Sequence, residues 1–100
     1  EAVKWYRKAA KQGNAIAQYN LGLKYFFGEG VQQDFTEAVK WYTRAAQQGN
    51  VEAQFNLGGI YEEGIVVAKD RDEAERWYRR AAENGHERAK YRLDVMNRKV

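Results

Sequence analysis

The side chains that could do chemistry are few, and their spacing does not favour catalysis. His86 is the only histidine. It stands beside a Gly turn, where Asn14 and Asn50 stand in two other copies of the same stretch, so it reads as a helix cap rather than a catalytic base. Glu62 and Glu63 are adjacent carboxylates, but neighbours on a helix point in different directions. They make a poor acid–base pair, and without a nearby His or Cys a poor metal site. Gly28-Glu29-Gly30 has neither a preceding strand nor the Lys-Ser/Thr pair of a phosphate cradle, so it reads as a turn. There is no Cys, which excludes disulfides, thiolate metal sites and a Cys nucleophile. No nucleophile, base and orienting group come together. No catalytic residue, cofactor or metal is expected.

The elements that would position any site are written in a repeat. "WYRKAA" begins at Trp5, "WYTRAA" at Trp41 and "WYRRAA" at Trp77, 36 residues apart, and these are all the Trp residues of the chain. Cutting at Glu1, Glu37 and Glu73 gives units 1–36, 37–72 and 73–100. The first two match without a gap at more than half of their positions, and the last is incomplete and drifts after Leu93. Ala38, Trp41, Tyr42, Ala45 and Ala46 fall at i, i+3, i+4, i+7 and i+8, one stripe of an α-helix. Asp34 with Glu37, and Asp70 with Glu73, have capping-box spacing at the start of such helices. Gly13, Gly49 and Gly85 mark their ends. A second kind of helix carries Ala17, Leu21 and Tyr25, then Ala53, Leu57 and Tyr61, with Asn50 as N-cap. Gly22 and Gly58 sit inside it, where Gly costs about 1 kcal/mol against Ala. Close helix approach is expected there, with a Trp of the neighbouring helix as partner. Helices are expected near 2–12, 15–27, 35–48, 51–63, 71–84 and 87–97. One pair cannot bury its Trp, Tyr and Ala stripe alone; stacked pairs can.

Charge and hydropathy narrow the function classes. Residues 1–70 hold 8 basic and 8 acidic side chains, while 71–100 hold 9 and 6, so the net charge of +3 lies in the last third. A basic end can bind nucleic acid, but a repeat that reads RNA wants a basic groove along its length; nucleic acid is the alternative reading rather than the favoured one. No stretch approaches the roughly 20 apolar residues of a membrane span. The opening Glu1-Ala2-Val3-Lys4 is neither a signal peptide nor a start with Met, so the chain is expected to be a piece of a longer array. Its compartment, cytoplasmic or exported, is left open by the residues.

The recurring pattern is Ala17-x-x-x-Leu21-Gly22-x-x-Tyr25-x-x-Gly28-x-Gly30-Val31-x-x-Asp34-x-x-Glu37-Ala38-x-x-Trp41-Tyr42-x-x-Ala45-Ala46-x-x-Gly49. It resembles the Sel-one-like repeat, a branch of the tetratricopeptide-repeat superfamily. The resemblance runs along the whole chain, with two departures: Val66 stands for Gly30, and Asp94 stands where the pattern has Gly after Leu. The resemblance implies an all-α, right-handed α-solenoid of stacked antiparallel helix pairs, six helices in all. It implies a non-catalytic adaptor that holds a protein or peptide on a concave surface.

In the tetratricopeptide relatives the first helix of each pair lines the groove. On that frame the facing positions are Ile16, Tyr19, Leu23, Phe26 and Phe27, then Glu52, Phe55, Gly59, Glu62 and Glu63, then Arg88, Tyr91, Val95, Arg98 and Lys99. Tyr19, Leu23, Phe26 and Phe27, with Ile16 beside them, are the expected apolar anchor. Phe55 and Tyr91 extend it, and Glu62, Glu63, Arg98 and Lys99 orient the ligand. Two rival roles compete for the same surface. The chain could be a structural spacer of a larger scaffold, with Phe26 and Phe27 touching further sequence. A homodimer could also cover the exposed first helix, where Val3, Trp5 and Tyr6 lack part of their packing.

Overall fold

Six helices carry almost all of the computed structural model, which describes residues 2–98. They are α1 (Ala2–Lys11), α2 (Ala15–Phe27), α3 (Phe35–Gln47), α4 (Val51–Glu63), α5 (Arg71–Glu83) and α6 (Glu87–Asn97). No strand occurs among the described residues. The ends fall within about a residue of those read from the sequence, because the punctuation is local. In the two-residue hinge Gly49-Asn50, Gly49 adopts φ +98°, and the Asn50 N–H donates back to the Ala45 carbonyl at 3.0 Å, closing α3. The Asn50 side chain then accepts the Ala53 N–H at 2.9 Å, opening α4. Asn14 does the same for α2 at 2.9 Å, and His86 for α6 through Nδ1 at 3.1 Å. His86 is a helix cap.

The longer loops differ from expectation in one detail. Asp34 and Asp70 accept the Glu37 and Glu73 N–H groups at 3.1 and 3.0 Å. The return arm of the capping box is not made. The Asp34 and Asp70 N–H groups already donate to Tyr25 and Tyr61 carbonyls at 2.9 and 3.1 Å, so Glu37 and Glu73 turn to Lys40 and Arg76 instead.

Each helix packs chiefly on its neighbours in sequence, and the molecule extends over 49 × 24 × 16 Å. Trp41 lies over Val3, Ala10, Ala17 and Leu21. Trp77 repeats this one unit on, over Ala53, Leu57 and Ile60. The Trp of each unit thus packs backwards, onto the helices before it. Trp41 and Trp77 are 4% and 7% exposed, whereas Trp5, in the first helix described, is 61% exposed. Val3 is covered nonetheless.

The partner of the mid-helix glycines is Tyr, not Trp. A Cβ on Gly22 would come within 2.7 Å of the Tyr42 ring, and one on Gly58 within 2.5 Å of the Tyr78 ring. Trp and Tyr are adjacent on one helix, and it is the Tyr that faces the glycine. A polar staple, unforeseen in the sequence, recurs beside them. Buried Gln18 donates to the Ala10 carbonyl at 3.0 Å and accepts from Gln48 Nε2 at 2.8 Å. Gln54 likewise donates to Ala46 at 3.1 Å and accepts from Asn84 at 3.4 Å. Each Gln ties three consecutive helices while meeting its own hydrogen-bond needs.

Candidate functional site

Consecutive pairing leaves a gap between α2 and α4, because α3 packs between them. The two helices run parallel, and Tyr42 of α3 floors the gap. The result is an open groove of about 410 Å³. One wall is Tyr19, Leu23, Phe26 and Phe27 of α2. The other is Glu52, Phe55, Asn56, Gly59, Ile60 and Glu63 of α4, closed by Ile65 and by Arg88 of α6. The apolar wall is organised by ring contacts. Phe26 meets Phe35 edge-on at 4.9 Å and Tyr42 at 6.3 Å, and Tyr19 lies 6.0 Å from Tyr42. Phe27 packs on Phe26 at 5.1 Å but remains 60% exposed.

At the N-terminal end of the groove, the His86 ring stacks on Phe55 at 4.4 Å. The Arg88 guanidinium lies over the same Phe55 ring at 4.8 Å. Glu52 Oε2 is 3.4 Å from His86 Nε2. Burial, and then the Glu52 charge, push the Tyr19 phenol above its ordinary value. Burial does the same to Tyr42, with Tyr19 as the second cause. The rings on the floor therefore stay neutral and present donors and apolar faces.

The groove brings together Tyr19, Leu23, Phe26, Phe27, Glu52, Phe55, Gly59, Glu63 and Arg88. It does not bring in the remaining residues of the expected surface. Ile16 stands exposed at the start of α2, outside the groove. Tyr91 is 61% exposed and lies with Phe55, Arg88 and Arg92 in a shallower depression toward α6. Glu62 points away from Glu63. It accepts the Tyr78 hydroxyl at 2.7 Å and pairs with Arg92, and it borders a separate polar depression with Asp70, Arg71 and Arg98. Neighbouring helix residues diverge by about 100°, so Glu62 and Glu63 do not act as a pair in one groove. Lys99 lies outside the described residues. Sequence reasoning missed Tyr42, Asn56, Ile60 and Ile65 as lining residues; Tyr42 belongs to a helical stripe that read only as core. Among the described residues no group of three or more His, Cys, Asp or Glu side chains could hold a metal. No helix of the described residues is long and apolar enough to cross a membrane.

The family model described as Sel1 repeat matches residues 1–14, 15–50 and 51–86, taking the 36-residue period from the start of α2. Among solved structures, the chain is 42% identical to a Sel1 repeat protein from Oxalobacter formigenes, with a TM-score of 0.89, covering 93% of this chain and 38% of that one. It is 41% identical, with a TM-score of 0.89, to c5321, a protective antigen present in uropathogenic Escherichia coli strains displaying an SLR fold. That match covers 94% of this chain and 20% of that one. Helicobacter pylori cysteine rich protein B shares the fold at 24% identity and a TM-score of 0.86, covering 91% of this chain and 68% of that chain. The chain thus spans well under half the length of the first two. No curated protein matches it.

Proposed function

The chain belongs to the Sel1 repeat family, whose members are helical-repeat modules of protein interaction, and from that premise we propose that it is a non-catalytic module binding a protein or peptide segment in the groove between α2 and α4. The observation that carries the reading is the groove itself. An apolar wall from one Leu-Gly helix faces a mixed wall from the next, with exposed Phe27 at its lip. Large aromatic side chains carry much of the binding energy at protein surfaces. Two carboxylates, Glu52 and Glu63, border the groove, which suits a polypeptide better than the phosphates of a nucleic acid. Tyr91 and Arg98 would act outside the groove, through the neighbouring depressions.

Phe26 and Phe27 separate stability from binding. Phe26 packs on Phe35 and Tyr42, so Phe26→Ser reports on the fold. Phe27→Ser reports on the surface. Peptides selected from a random display library against the parent chain are expected to bind Phe27→Ser at least about tenfold more weakly. The variant's melting temperature should stay within about 2 °C of the parent's. Unchanged peptide binding by a folded Phe27→Ser chain would overturn the groove as the binding surface.

A further inference from the structure

Helix α4 carries two adjacent glycines, and packing accounts for only one of them. Gly58 repeats Gly22, and a Cβ there would collide with the Tyr78 ring at 2.5 Å. Gly59 is under no such demand. A Cβ there would meet only the Tyr78 hydroxyl, at 3.7 Å, an ordinary van der Waals contact. Its backbone is helical, so a left-handed conformation is not the reason either. The same register position holds Leu23 in α2 and Val95 in α6. A glycine inside a helix weakens it relative to almost any other residue. What Gly59 does achieve is space: it lines the groove opposite the apolar wall of Leu23 and Phe26. A side chain of leucine size there would fill the space.

The charge beside this hollow is also particular. Glu63 lies four residues on, one helical turn or about 6 Å along α4. It is exposed, and among the described residues no ion pair or hydrogen bond involves its side chain. The other groove carboxylate, Glu52, already faces His86 at 3.4 Å. The groove's cation, Arg88, is engaged over the Phe55 ring, so the charge left open beside the hollow is that of Glu63.

Resting on the groove reading above, we propose that the hollow over Gly59 is a socket for one bulky apolar side chain of a partner peptide, and that Glu63 pairs with a Lys or Arg two residues along that peptide. An extended strand advances about 3.3 Å per residue and returns to the same face every second residue. Two residues of such a strand span the turn of α4 between Gly59 and Glu63. The Leu23–Phe26–Phe27 wall closes the socket from the other side.

The probe is a random seven-residue peptide display library panned against the chain, followed by enriched sequences as labelled synthetic peptides measured by fluorescence polarisation. Trp, Phe or Leu should enrich with Lys or Arg two positions away. Gly59→Leu should weaken those peptides by at least about tenfold while melting at or above the parent temperature, with Gly59→Ala intermediate. Panning against Glu63→Lys should enrich Asp or Glu at the position that held the cation. Enriched peptides that weaken in Phe27→Ser but bind Gly59→Leu and Glu63→Lys as tightly as the parent overturn the socket and spare the groove. Peptides indifferent to all three changes overturn the groove reading, and a library that enriches nothing overturns both.

Discussion

Val66 is the residue whose backbone is least suited to its side chain. It is the only non-glycine described with positive φ, at +67°, where its repeat partner Gly30 takes +77°. The substitution therefore leaves the loop conformation of the repeat intact. The pressure to keep it comes from both sides: Gly64 closes α4 at φ +76°, and the Asp70 N–H reaches back to Tyr61. A β-branched residue in the left-handed region costs about 1–2 kcal/mol, and glycine gives back part of that through its freer unfolded chain. Val66→Gly is thus expected to stabilise the protein by about 1 kcal/mol, read as a melting temperature several degrees higher. Val66 is exposed, so little burial is lost. A lower melting temperature would mean that the side chain, not the backbone, decides this position.

At the scale of the element, the interface between a Leu-Gly helix and the following Trp-Tyr helix sets the fold's tolerances. Gly58→Ala drives a methyl group into the Tyr78 ring, which is buried and held by its hydroxyl to Glu62. The ring cannot retreat without breaking that bond, so a loss of about 2 kcal/mol or more is expected in chemical denaturation. Gly59→Ala, one residue on, should be neutral or stabilising. The Glu62 carboxylate joins α4 to Tyr78 of α5 and Arg92 of α6. Burial alone would raise its pKa, but the Tyr78 and Arg92 hydrogen bonds and the Arg92 charge outweigh it and hold it below the ordinary 4.5. A depressed carboxylate contributes stability above its unfolded pKa and loses it as pH falls through the folded value. The parent should therefore exceed Glu62→Gln in stability at neutral pH, with the gap closing below about pH 4.5. A gap constant from pH 7 to pH 3 in urea melts would show that Glu62 acts by shape alone.

At the scale of the whole molecule, one residue type occupies three places in the array and should behave differently in each. Trp41→Ala removes a buried indole packed on two preceding helices and should cost about 3–5 kcal/mol. Proximity to the chain end suggests a smaller effect at Trp77. The backward packing says otherwise. Trp77 sits in the central cluster with Leu57 and Ile60, so Trp77→Ala should cost nearly as much as Trp41→Ala. Trp5→Ala, at a surface position, should stay within about 0.5 kcal/mol. Equal costs at Trp5 and Trp41 would contradict nearest-neighbour stacking. The direction of packing also makes the two ends of the described chain unlike. At α6, Asp94 stands in the register of Gly22 and Gly58 and is exposed, where a further Tyr ring would demand glycine.

Helix existence, type and boundaries were legible in the residues, because they rest on short-range physics. A Gly-Asn hinge ends one helix and starts the next within two residues, and Asp34 and Asp70 cap the first turn they precede. Period and stacking were legible too, since a repeated apolar stripe demands a repeated partner. The identity of those partners was decided only by the tertiary structure. Whether Trp or Tyr fills the space over Gly22 depends on how two helices are rotated against each other, and both residues satisfy the same periodic pattern. That Glu62 and Glu63 diverge follows from helix geometry, but the partners that engage Glu62, the Tyr78 and Arg92 groups, are brought from sixteen and thirty residues away. Gly59 shows the limit most plainly. In the sequence it is one more glycine beside an architectural one, and only the distances around it reveal that nothing in the packing requires it.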